Sequence, residues 1–231
     1  MSKFQLLYNN VFTTPSPIFK LIEINQLIFK VMLVISCLGL ITEQGYAQEK
    51  ILAFGDSLTA GYGLDPGEGF TDELERVINT LGSSVTVINA GVSGDTSSGG
   101  LSRLEWVLDS FKNIDLVILA LGANDALRGI QPKITAQNID QMAKILKKRN
   151  IPTVIAGMLA PPNLGKVYGT KFNNIYPSTS KKYGMVLYPF LLDGVAGIIE
   201  LNQTDRIHPN KKGVSIISKK MAPVIIKVLS R

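Results

Sequence analysis

The chain has 231 residues, 45% of them apolar and 18% charged, with Gly 21 and Pro 11. That balance excludes a disordered or collagen-like chain and suffices for one or two packed domains. A single Cys and a single His exclude a cysteine-based or polyhistidine metal site. The net charge of +6 is scattered through pairs such as Lys147-Lys148, Lys181-Lys182 and Lys211-Lys212, with no basic stripe interleaved by aromatics, so nucleic acid is not an expected partner.

The first 47 residues read as a segment apart. Lys30 precedes an apolar run of eleven, Val31 to Ile41. A membrane span needs about 20 such residues, whereas eleven fits the h-region of a secretory signal. Gly45 and Ala47 have the small-residue spacing of a cleavage site, which predicts a signal region over 1–47 and a mature domain over 48–231, exported to the periplasm or beyond. Two other readings compete: a lipoprotein anchor through Cys37, preceded by Val34-Ile35-Ser36, and a buried helix of the fold. The apolar run continues past Cys37, which favours simple cleavage.

From Lys50 onward, short apolar runs alternate with helical patterns. The runs are Lys50 to Phe54, Val85 to Ile88, Leu116 to Leu121, Thr153 to Ala156 and, more weakly, Met185 to Leu187. Near-continuous apolar runs are expected of strands buried on both faces of a parallel sheet. Helical spacing predicts helices over 72–81, 101–108, 135–148 and 211–229, with Pro223 placed to kink the last. The rhythm predicts a doubly wound, three-layer α/β/α domain with right-handed crossovers.

In such sheets, reactive groups gather at the carboxyl ends of the strands. Those ends carry Gly55-Asp56-Ser57-Leu58, Gly91-Val92-Ser93-Gly94-Asp95 and Gly122-Ala123-Asn124-Asp125. A serine hydroxyl needs a base to take its proton, and the base needs an orienting partner. With one His in the chain, the base for Ser57 can only be His208; its nearest carboxylate is Asp205, three residues earlier. Pro209 disfavours the α region at His208, which predicts a turn just before the last helix. A tetrahedral oxyanion needs donors aimed at it, and the candidates are the backbone N–H of Ser57, the backbone N–H of Gly91 and the side-chain amide of Asn124. A glycine at 91 is expected to let the backbone approach the substrate without a Cβ in the way. Leu127, Leu159 and Pro162, together with the segment after Gly91, are candidate walls of an acyl pocket.

Four blocks carry a family resemblance: Phe54 to Gly63, Asn89 to Ser97, Gly122 to Gly129 and Asp205 to Asn210. The chain resembles the GDSL, or SGNH, hydrolases over residues 51–231. It is most similar to their bacterial exported thioesterase I, lysophospholipase and arylesterase group; Pro161 to Gly165 and Tyr168 to Pro177 also fit that group. The resemblance implies Ser57 as nucleophile, Asp205 and His208 as its partners, and Gly91 and Asn124 at the oxyanion positions. It also implies a flavodoxin-like five-stranded sheet of order 2-1-3-4-5 and hydrolysis of small-molecule esters, acyl thioesters or lysophospholipids. No metal, organic cofactor or stable partner is implied. Two positions depart from the pattern: Ala123 and Arg206 stand where this group often has Gly. Ala123 is expected to shift the turn presenting Asn124 slightly, and Arg206 to point to solvent.

Two rival readings use the same architecture. A deacetylase of sugars or cell-wall glycan would employ the same residues but calls for a polar cleft or an added binding module. A flavin-binding module would need a phosphate loop after the first strand, where this chain puts the negative charge of Asp56.

Overall fold

The computed structural model describes residues 48–230 and isolated positions between 22 and 32. The chain divides into a unit Met1–Tyr46 and a unit Ala47–Arg231. Within the first, the described positions are helical and exposed. The expected h-region, Cys37 and the expected cleavage site at Ala47 lie outside the described residues, apart from Met32.

In the second unit, five parallel strands form one sheet in the order β2-β1-β3-β4-β5, the doubly wound arrangement expected from the sequence. The strands are β1 (Glu49–Gly55), β2 (Val85–Gly91), β3 (Leu116–Ala120), β4 (Thr153–Ala156) and β5 (Val186–Tyr188). Every residue of β3 and β4 is buried, as is β1 from Ile51 onward. Both faces of the central strands are therefore covered, which explains why those runs lack the alternation of a half-exposed sheet.

Helices α1 (Ser57–Ala60), α2 (Phe70–Thr80), α3 (Ser97–Ser110), α4 (Ala123–Leu127), α5 (Pro132–Lys148), α6 (Lys166–Asn173), α7 (Ile175–Tyr183) and α8 (Lys211–Leu229) surround the sheet. α2 packs with α8, while α3, α5 and α7 pack in sequence with one another. The four helices expected from periodicity are all present, and α8 runs unbroken through Pro223. Pro223 faces solvent, where water can serve the carbonyl that its missing N–H leaves unpaired. The short helices α1, α4, α6 and α7 have too few turns to show a period.

Strand register is what builds the site. Gly55 pairs with Gly91 on one side and with Ala120 on the other, so β1, β2 and β3 end side by side at one rim. The approach is close enough to forbid side chains. A Cβ on Gly55 would stand 2.0 Å from Thr59 Oγ1 and 2.8 Å from the Ala120 carbonyl oxygen. Gly55→Ala should therefore destabilise the domain by about 1–3 kcal/mol or more, read as a lowered midpoint of chemical denaturation; an unchanged midpoint would contradict this packing.

Candidate active site

The chain leaves β1 at Gly55 and turns at once into α1. Asp56 caps that helix, its Oδ1 accepting the Leu58 N–H at 3.0 Å. Ser57 is the first residue of α1 and is buried at the base of a cleft. Its Oγ lies 2.9 Å from His208 Nε2, and His208 Nδ1 lies 2.6 Å from Asp205 Oδ2. A carboxylate cannot donate, so Nδ1 carries the proton and Nε2 presents its lone pair to the serine hydroxyl. All three residues expected from the sequence are thus brought together in the expected order.

The loop bearing Asp205 and His208 is held from several sides. Asp205 Oδ1 accepts the backbone N–H groups of Ile207 and His208. Gln203 N–H donates to the His208 carbonyl at 2.7 Å, and the Gln203 side chain donates to the carbonyls of Tyr62 and Pro209. That brace joins the histidine loop to the segment just after α1. Gly63 makes room for it, because a Cβ there would stand 2.2 Å from Gln203 Oε1. The Tyr62 ring packs against the imidazole, with centroids 4.7 Å apart. Tyr62 lies within the Phe54 to Gly63 block, whereas Gln203 carries no signal in the sequence, since it acts only through the folded loop.

The three expected oxyanion donors converge less simply. The Ser57 N–H, at the start of a helix, has no intrahelical acceptor. Asn124 donates one amide hydrogen to the Asp95 carbonyl at 2.9 Å and lies a long 3.4 Å from Asp56 Oδ2. The Gly91 N–H donates to the side chain of exposed Asn89 at 3.0 Å, which a substrate oxyanion has to displace or share. The expected reason for a glycine at 91 is also corrected. A Cβ there would meet the backbone of α1, 2.4 Å from Ala60 N and 2.8 Å from the Asp56 carbonyl oxygen, so the glycine serves helix–strand packing.

Asn124 is presented by α4, whose anchor is the buried Asp125. Its carboxylate accepts from Ser97 N–H, Ser97 Oγ and Thr135 Oγ1, pinning the starts of α3 and α5 to α4. The turn entering α4 is made by Gly122, at φ +113, with Tyr176 Oη 2.2 Å from where its Cβ would be. Ala123 is the first helical residue and needs no glycine, so the expected shift of the turn has no structural cause. Arg206 is exposed and makes no ion pair with Asp205, as expected, but it adopts φ +60, the left-handed region that favours glycine, and it lines the cleft.

The cleft has a volume of about 650 Å³. Leu127, Leu159 and Pro162 line it, as expected, beside Ser57, Asn124 and His208. The segment after Gly91 does not; Phe190, Leu192 and Ile207, all from the chain after β5, line the cleft instead. The Leu159–Pro162 wall is fixed by a 2.8 Å hydrogen bond from Ala160 N–H to Asn173.

Comparison with known proteins gives this arrangement its setting. The sequence model of the GDSL-like lipase/acylhydrolase family matches residues 53–216. The chain belongs to this family. It is 37% identical over 183 residues to an arylesterase of Vibrio mimicus, spanning 79% of this chain and 91% of that protein. It is 35% identical over 185 residues to thioesterase 1/protease 1/lysophospholipase L1 of Escherichia coli, spanning 80% of this chain and 87% of that one. The crystal structure of AlinE4, an SGNH-hydrolase family esterase, superposes with a TM-score of 0.68 at 44% identity, covering 79% of this chain and 97% of the other. The chain is accordingly a serine hydrolase of the acylhydrolase class with the family's α/β/α fold.

Two aspartates beside the site sit in opposite environments. Burial pushes the Asp56 carboxyl up to about 6, against the pull of the Leu58 N–H and of His208. Partial burial alone would also raise Asp205, but hydrogen bonds from His208 and Ile207 hold it down to about 2. The two have opposite consequences for stability. Between about pH 4 and 6, folded Asp56 binds a proton that the unfolded chain has released, so its contribution falls as pH rises. The Asp205 contribution is present above about pH 4 and is lost as pH falls toward 2. Asp56→Asn, which can still cap α1, should therefore flatten the loss of stability between pH 4.5 and 7; urea midpoints that track the parent protein across that range would contradict the buried carboxyl.

Proposed function

We propose that the protein is an exported esterase and acyl thioesterase that works through an acyl-enzyme. The observation that carries this reading is the contact of 2.9 Å between Ser57 Oγ and His208 Nε2, with Asp205 behind the ring. Ser57 attacks the acyl carbonyl as His208 takes its proton, and Asp205 stabilises the imidazolium. The N–H groups of Ser57 and Gly91 and the amide of Asn124 receive the oxyanion. His208 then protonates the leaving alcohol or thiol, and water activated by the same imidazole releases the acid. Ester substrates are supported by the arylesterase relative and by AlinE4; thioesters and lysophospholipids are supported by the Escherichia coli relative. The apolar lining from Leu127, Leu159, Pro162, Phe190 and Leu192 suits an acyl chain better than a glycan. Export rests on the Val31 to Ile41 run and the Gly45/Ala47 pair.

Ser57→Ala should lower turnover of p-nitrophenyl butyrate by at least about 10³-fold with circular dichroism unchanged; substantial residual turnover would refute the mechanism. Esters and coenzyme A thioesters of one acyl group, assayed side by side, test the substrate range; hydrolysis of the ester alone would remove the thioesterase half.

A further inference from the structure

Resting on the acyl-transfer reading above, we infer that Arg103 is a positioning residue whose guanidinium aims all three oxyanion donors. Arg103 lies in α3 with its side chain only 18% exposed, on the stripe that also buries Gly100 and Val107. A charge so placed needs partners, and it has three, at the ends of β1 and β2 and in the loop that follows β2. Nε donates to Asp95 Oδ2 at 2.7 Å, Nη1 to the Ala90 carbonyl at 3.0 Å and Nη2 to the Gly55 carbonyl at 2.9 Å. The guanidinium carbon lies over the Phe54 ring, 4.1 Å from its centroid.

Each contact fixes a donor. The Ala90 carbonyl and the Gly91 N–H belong to one planar peptide, so holding the oxygen sets the direction of the N–H. A cation on the oxygen also polarises that peptide and strengthens the N–H as a donor. The Gly55 carbonyl immediately precedes Asp56 and Ser57, and it also accepts Val92 N–H at 3.1 Å, which clamps the ends of β1 and β2 together. Asp95, held through its carboxylate, offers its own carbonyl to Asn124 Nδ2. Only a planar fork with several fixed N–H groups meets three such acceptors at once; the single ammonium of lysine cannot.

The proposal predicts a loss in the transition state and not in substrate binding. Arg103→Met should lower kcat for p-nitrophenyl butyrate by about 10- to 100-fold, less than outright removal of a donor, with KM within about twofold. Its labelling rate by a fluorophosphonate should fall in parallel, because attack at phosphorus also develops an anionic oxygen. Arg103→Lys should recover only part of the loss. Arg149→Met, which breaks the exposed pair with Asp109, should keep the parent kcat. If Arg103→Met does not fold, Asp95→Asn carries the test, since it weakens the Arg103 contact yet keeps the carbonyl that Asn124 uses; its kcat should fall with KM unchanged. A folded Arg103→Met or Asp95→Asn protein with the parent kcat and labelling rate overturns the proposal. Turnover by Ser57→Ala would instead sink the acyl-transfer reading itself, so the two failures are separable.

Discussion

One hydrogen bond of 2.9 Å joins Ser57 to His208 across 151 positions of sequence. The central sheet and the loop before α8 together keep that distance. The hydroxyl stands at the end of the central strand β1, in a frame of buried apolar residues that includes Ile51, Leu52, Ala53 and Phe54. The imidazole stands on a loop with little apolar content, so its position has to come from hydrogen bonds. Asn202 supplies several, donating to the carbonyls of Val195 and Ile198 and forming a bridge with Pro209. Asn210 closes the loop by capping α8 through Lys212 and Gly213 while donating to Glu200 and Asn202. A packed sheet and a hydrogen-bonded loop thus meet at one pair of atoms, with Gln203 and Tyr62 bracing the junction.

The electrostatics divide the work between two carboxyl groups of the same type. Asp205 accepts from two backbone N–H groups and one imidazole N–H, and this donor set keeps it ionised behind His208. Asp56 is fully buried, accepts one backbone N–H and has the Asp95 carboxylate near enough to oppose its charge. The first environment suits a group that must face a developing imidazolium. The second suits a helix cap, whose Oδ1 is engaged whether or not the other oxygen holds a proton.

Much of this was legible from the residues. Burial on both faces made the central strands continuous apolar runs, and one lone histidine left a single candidate base. The ends of β1, β2 and β3 could be read as a common rim because each run stopped at a glycine-bearing turn. What stayed hidden depended on register and on side-chain reach. The role of Gly91 was misjudged because packing against α1 follows from the Gly55–Gly91 pairing, which no local pattern encodes. The second wall of the cleft was placed after Gly91 instead of after β5, since the path of an irregular segment is set by tertiary contacts. Arg103 left one faint trace, a charged residue on the otherwise buried stripe of α3.

The backbone at Arg206 has a practical consequence. The position is in the histidine loop, already accommodates a long side chain at φ +60, and among the described residues that side chain makes no hydrogen bond or ion pair, while the backbone N–H donates to the Gln203 carbonyl. The loop is anchored on either side of it by Asn202, Gln203 and Asn210, so a bulky substituent there is borne without dragging the imidazole. The only native thiol is Cys37, within the 1–47 region. A cysteine introduced at 206 in the domain alone would hence be a single chemical handle at the mouth of the cleft, suited to a fluorescent reporter of substrate entry or to tethering the protein on a surface with the cleft oriented.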